Sequence, residues 1–190
     1  MTIIGLEGGI GTGKTLSLVY LGMQDLTTKK RLYSNVKLRN IEPKLKKKIT
    51  YLTKDKIKEI FTLIKEGQFD MMDSTVLIQE AHNYMDSRSS MSLKNKTLTY
   101  WILQSRHTGA GTCDIIYDTQ DFGQVDLRLR RNTDMFIRPL IMSRASDNSP
   151  VKIKLYITQK LFHKESRSTL VIDVFKTLKY YDTHEVVDFL

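Results

Sequence analysis

Residues Gly8-Gly9-Ile10-Gly11-Thr12-Gly13-Lys14-Thr15 fit the pattern G-x-x-x-x-G-K-[ST], and their flanks leave the chain few ways to fold around them. Before them, Ile3-Ile4-Gly5-Leu6 is a short apolar run that predicts a buried strand. After them, Leu16 to Met23 predicts a helix. A strand, a tight loop and a helix in that order turn successive backbone N–H groups inward around phosphate. The helix N-terminus adds its own unpaired donors and the positive end of its dipole. Glycine permits the positive φ values and the close approach that a Cβ would block. Lys14 is placed for the β- and γ-phosphates and the Thr15 hydroxyl for Mg²⁺. The segment predicts binding of a nucleoside triphosphate.

The rest of the chain alternates strands and helices, the pattern of an α/β fold. Strands are predicted at Arg31–Val36, Thr75–Gln79, Asp114–Thr119 and Asp134–Leu140. Ile57, Ile60, Phe61 and Ile64 form a helical stripe within residues 53–66. A polar loop over Ser87–Lys96 leads into a helix containing Leu98, Trp101, Ile102 and Ser105. Residues 123–131 predict a short arginine-rich helix. Val151–Phe162 and Leu170–Leu178 alternate as a β-hairpin or edge strands would. At 190 residues, without a Pro/Gly linker or a repeat, the expectation is one domain spanning residues 1–190. Residues 151–190 would be its β-rich extension. The expected fold class is α/β: a P-loop NTPase with a mostly parallel central sheet flanked by helices, plus C-terminal β-hairpin or edge strands.

Composition narrows the setting. No apolar run approaches bilayer length and the N-terminus lacks a signal-peptide layout, so the expected location is cytoplasmic. A lone cysteine, Cys113, excludes an intrachain disulfide and any cysteine-based zinc site, and its place beside an apolar strand predicts a buried, inert thiol. The net charge of +9 is concentrated at Lys29, Lys30, Arg31, Lys37, Arg39, Lys44, Lys46, Lys47, Lys48, Lys54, Lys56 and Lys58, offset by Glu42, Asp55 and the adjacent Glu59. Such a surface attracts phosphate backbones by counterion release. A solvated lysine-rich face has the same composition.

A phosphate loop that hydrolyses needs a second, acidic strand end. Most such enzymes finish an apolar run with Asp-Glu, the first holding the Mg²⁺ shell and the second activating water. Here the run is Val76-Leu77-Ile78-Gln79-Glu80. Glu80 stands where the general base belongs; alternatively it is an acid answering a helix dipole. Gln79 stands where the aspartate belongs, and its amide oxygen could accept from a Mg²⁺-bound water without contributing charge. Asp73 lies roughly 20 Å away at the wrong strand end. Asp118, ending a neighbouring strand, is better placed to supplement Gln79. Gln120 could orient water or sense the γ-phosphate, or simply make a turn. Arg106, Arg128, Arg130 and Arg131 could each reach a neighbouring subunit's nucleotide. Taken singly, a surface ion pair explains each as well.

These pieces resemble the ATPases of the zonular occludens toxin type, within the wider FtsK/HerA group of DNA-pumping P-loop proteins. The resemblance rests on Gly8–Thr15, on Val76–Arg88, on Gln104-Ser105-Arg106, on Thr119-Gln120 through Arg130, and on Tyr181-Asp182-Thr183-His184-Glu185. It implies ATP and Mg²⁺ held by Lys14 and Thr15, Glu80 as catalytic base, Gln120 as sensor and Arg106 as the trans-acting arginine, with Arg128 and Arg130 competing. It further implies a homo-oligomer, hexameric in the family pattern. The expected function is an ATP-hydrolysing motor that moves or packages double-stranded DNA in virus assembly, in the host cytoplasm and with a possible capsid or portal partner. Residues 29–58 would contact the DNA. Gln79 in place of aspartate supports an alternative, a nucleotide-binding assembly or switch protein with slow or no hydrolysis. A small-molecule kinase fits the length, but no arginine-bearing lid is evident. The transmembrane segment of many toxin-type members is absent from this sequence.

Overall fold

The strand and helix patterns assemble into one eight-stranded sheet with helices on both faces. The computed structural model describes residues 2–28, 31–68, 71–89, 113–161 and 164–181. In chain order the elements are β1 (Ile3–Glu7), α1 (Lys14–Thr28), β2 (Arg31–Ser34), α2 (Pro43–Lys46), β3 (Ile49–Tyr51), α3 (Lys54–Lys65), β4 (Ser74–Ile78), β5 (Asp114–Thr119), α4 (Leu127–Asn132), β6 (Met135–Arg144), β7 (Pro150–Leu161) and β8 (Lys164–Asp173). The spatial order is β3-β2-β4-β5-β1-β6-β7-β8. The strands from β3 to β6 are parallel, and β7 and β8 add antiparallel.

Period-two alternation splits the apolar residues between two cores. Val76, Ile78, Ile115 and Tyr117 face one side with Ile60 of α3 and Leu129 of α4. Leu77 and Ile116 face the other with Leu16, Leu18, Val19 and Leu26 of α1. Every residue of β4 is buried, as expected for a parallel strand covered on both faces. Helix α1 approaches this strand through Gly22, where a Cβ would lie 2.4 Å from Leu77 Cδ1. The phosphate loop is thereby held over the middle of the sheet.

The predicted strands at residues 31–36, 75–79, 114–119 and 134–140 are present, as is the helix over 53–66. The arginine-rich segment is a 3-10 turn, Phe122–Gln124, followed by α4. The C-terminal hairpin is present with β7 where expected, but its second strand is shifted. Strand β8 begins at Lys164, within a stretch that carries no apolar alternation because this edge strand is exposed along most of its length. It ends at Asp173, whose carboxylate accepts from the Phe175 N–H at 3.0 Å, and Phe175–Tyr180 forms a 3-10 turn instead of strand. Two short elements, α2 and β3, had no sequence signal beyond Pro43 at the start of the helix. Cys113 is buried. The helix expected around Trp101, most of the Ser87–Lys96 loop and residues 182–185 lie outside the described residues. Among the described residues no helix is long and apolar enough to cross a membrane.

Candidate nucleotide site

Residues 8–13 leave β1 and enter α1 through two left-handed glycines, Gly11 (φ 77°) and Gly13 (φ 90°). L-residues with a Cβ resist that conformation, so these two positions give the loop its curl. Gly8 matters for space instead, since a Cβ there would sit 2.6 Å from Thr12 Oγ1. Thr12 Oγ1 and Lys14 Nζ both donate to the Gly9 carbonyl, at 2.9 and 3.0 Å. Lys14 is buried although charged, while Ile10 at the loop tip is almost fully exposed.

The strand register decides which acid meets the loop. Leu6 pairs with Asp118 and Ile78 with Tyr117, so β1, β5 and β4 end together along one edge. Ligands of parallel sheets bind at that carboxyl edge. Strand β5 separates β1 from β4, which places Asp118 nearer the loop than the β4 end. Thr15 Oγ1 donates to Asp118 Oδ2 at 3.0 Å, and the Glu80 N–H donates to Oδ1 at 2.6 Å. Asp118 is fully buried, and that desolvation pushes its carboxyl up to about 7. The Glu80 N–H opposes the rise, the Glu80 charge adds to it, and the Thr15 hydroxyl and Lys14 charge oppose it more weakly.

Asn35, just past β2, clamps the end of β4: its Oδ1 accepts from the Gln79 N–H at 2.7 Å and its Nδ2 donates to the Gln79 carbonyl at 2.9 Å. The buried Gln79 amide nitrogen lies 3.5 Å from Thr15 Oγ1 and 3.4 Å from Tyr181 Oη. The chain then turns through Glu80 in the left-handed region (φ 52°, ψ 52°). A non-glycine residue holds that conformation only when its surroundings over-determine it. The Glu80 carboxylate lies 3.3 Å from His82 Nε2, and His82 Nδ1 lies 3.3 Å from Thr119 Oγ1. Only a three-residue 3-10 turn follows Glu80, too short for the dipole reading of its charge.

Lys14, Thr15, Gln79 and Glu80 form one wall of a cleft of about 960 Å³. The opposite wall is the β6–β7 turn with Arg144, together with the segment Leu178–Tyr181. That segment is tied down by the Arg39 N–H to the Tyr180 carbonyl at 3.0 Å and by Asn40 Nδ2 to the Lys179 carbonyl at 2.8 Å.

A family model of the zonular occludens toxin (Zot) matches residues 2–182. The chain belongs to the Zot family. No curated protein matches it. The fold of this family member is similar to the N-terminal domain of zonular occludens toxin from Neisseria meningitidis, with TM-score 0.61 and 20% identity over 96% of this chain and 100% of that one. It is also similar to the genome packaging NTPase B204 of Sulfolobus turreted icosahedral virus 2 in complex with ATP-gammaS, with TM-score 0.55 and 12% identity over 87% and 96% of the two chains. The DNA-packaging ATPase B204 of Sulfolobus Turreted Icosahedral Virus gives 0.54 and 10% over the same shares. At these identities the solved structures establish the P-loop NTPase fold for the Zot-family chain.

Within this Zot-family fold Lys14, Thr15, Gln79 and Glu80 converge, and Asp118 joins them. Gln120 is exposed and does not line the cleft. Arg128 Nε lies 3.8 Å from Asp126, and Arg130 Nε donates to the Val125 carbonyl at 3.0 Å; neither lines the cleft. Arg106 lies outside the described residues. Sequence reasoning missed Asn35, His82 and Arg144 as site residues and counted Arg39 only as surface charge. No local spacing marks them, because the sheet order and the β6–β7 hairpin bring them in.

Proposed function

We propose that this chain binds Mg-ATP on residues Gly8–Thr15 and hydrolyses it as a motor that moves or packages DNA during virus assembly. The carrying observation is the hydrogen-bonded chain from Thr15 through Asp118 to Glu80, which ties the phosphate loop to the candidate base. Lys14 would hold the phosphates. Glu80 would accept a proton from the water attacking the terminal phosphorus, as the bond from that phosphorus to the ADP oxygen breaks. The similar structures support the reading: one is a genome packaging NTPase in complex with ATP-gammaS.

The donors suit a hard cation. The Thr15 hydroxyl and the buried Asp118 carboxylate are oxygen ligands 3.0 Å apart, whereas the Gln79 amide turns its nitrogen, not its oxygen, toward Thr15. Among the described residues no three His, Cys, Asp or Glu side chains group to hold a metal ion, so Mg²⁺ here would rely on phosphate oxygens as well. Bound, Mg²⁺ would neutralise charge developing on the phosphates.

The DNA part of the proposal rests on the basic residues of 29–58, of which Arg31, Lys37, Arg39, Lys44, Lys46, Lys47 and Lys58 are exposed. A hexameric ring, Arg106 acting in trans and a capsid or portal partner belong to the same proposal. Phosphate release from Mg-ATP, with and without double-stranded DNA and with Lys14→Ala as the blank, tests it. Turnover that survives in the blank refutes the site. Tight ATP binding without turnover favours the switch reading, to which Gln79 in the aspartate position already points. In that case Gln79→Asp should raise turnover.

A further inference from the structure

The groups behind Glu80 assign a role to a residue that the site so far leaves idle. The Glu80 side chain is partly buried, and one of its oxygens, Oε2, faces His82 Nε2 at 3.3 Å. The other ring nitrogen of His82, Nδ1, faces Thr119 Oγ1 at the same distance. Thr119 is fully buried, and its hydroxyl also reaches the Asp121 carbonyl at 3.1 Å. The threonine has one proton for two acceptors. If that proton goes to Nδ1, the neutral ring carries its own proton on Nε2. If it goes to the Asp121 carbonyl, Nδ1–H donates to the hydroxyl oxygen and a neutral ring turns a bare Nε2 toward the carboxylate, a repulsive pairing. Only the first arrangement lets a neutral ring present Nε2–H to Glu80.

We propose that His82 is a positioning residue that holds one oxygen of Glu80, leaving the other free for the attacking water. The anchor is rigid because Thr119 ends β5 in register with Glu7 of β1, so the carboxylate is referenced to the strand that feeds the phosphate loop. The need for an anchor is local. Glu80 occupies a left-handed turn, and its N–H is committed to Asp118. The backbone is therefore pinned, so the direction of the carboxylate depends on what its side chain touches. At 3.3 Å both ring contacts are long for hydrogen bonds, and such contacts tighten when a site fills. The inference rests on Glu80 being the base.

Steady-state phosphate release from Mg-ATP by the full chain tests it, using His82→Ala, His82→Gln, Glu80→Gln and the double variant Glu80→Gln/His82→Ala. His82→Ala should lower kcat roughly tenfold, the loss expected from one hydrogen bond to a carboxylate, with KM for ATP unchanged. His82→Gln should recover most of the loss, because its amide N–H replaces Nε2–H, and it serves as the folded variant should the alanine destabilise the chain. The double variant should be no slower than Glu80→Gln. Wild-type kcat in both His82 variants, or a further loss in the double variant, overturns the positioning role while leaving Glu80 as base. Glu80→Gln turnover close to wild type removes the base and this inference together.

Discussion

Asp118→Asn should remove a pH dependence of stability that the wild-type chain carries. The carboxyl is fully buried and its pKa is raised from the ordinary 3.8 to about 7, chiefly by desolvation. Below about pH 4 it is protonated in both the folded and unfolded chain, so nothing is lost. Between about pH 4 and 7 the unfolded chain gives up a proton that the folded chain retains. The unfolded state therefore gains, and stability falls as pH rises. A separation of about 3 pH units corresponds to about 4 kcal/mol, fully spent once pH passes the folded value. Asparagine has nearly the same shape. Its oxygen can still accept from the Glu80 N–H, and its N–H₂ can donate to Thr15 Oγ1. Urea unfolding of both proteins from pH 4 to 8, with EDTA and without nucleotide, isolates the term. The stability of wild type relative to the variant should decline by about 4 kcal/mol between pH 4 and 7, then level off, with equal m-values. A difference flat to within about 0.5 kcal/mol would show Asp118 titrating as an ordinary surface carboxylate, and the buried geometry would be refuted.

Other perturbations probe separate links. Lys14→Ala should weaken ATP binding by about a hundredfold, since it removes the buried cation that we propose holds phosphate; a fluorescent-nucleotide titration within about threefold of wild type would contradict the loop assignment. Gly22→Ala should destabilise the fold despite the gain of about 1 kcal/mol in helix propensity, because the new Cβ meets the buried Leu77 and overpacking costs about 1–3 kcal/mol. A rise in Tm would show that α1 can move away from β4. Asn35→Ala should cost about 2 kcal/mol in urea unfolding, through its two lost hydrogen bonds to the Gln79 backbone, and should lower kcat by displacing Glu80. Unchanged stability would mean that water replaces the clamp.

The local part of the protein was legible in the chain. Gly11 and Gly13 could be assigned to the loop because its curvature needs positive φ, and Val76–Ile78 to a central strand because a strand covered on both faces must be apolar throughout. The amphipathic stripe of α3 and the apolar run of β5 are likewise local signals. Strand β8 was misplaced for the converse reason: an edge strand exposed along most of its length gains nothing from alternation, so its composition carries no period.

The partners of Glu80 could not be read the same way. That Asp118 meets Thr15 follows from β5 lying between β1 and β4, which depends on sheet order rather than on the spacing of residues in the chain. His82 and Thr119 meet because two parallel strands end in register, and Arg39 and Arg144 reach the cleft from opposite ends of the chain. The phosphate loop and the strand that ends at Glu80 are written into neighbouring residues, since φ freedom and burial act within a few positions. Which carboxylate, histidine and arginines complete the site was decided by tertiary packing alone, because hydrogen bonds between strand ends depend on which strands are neighbours.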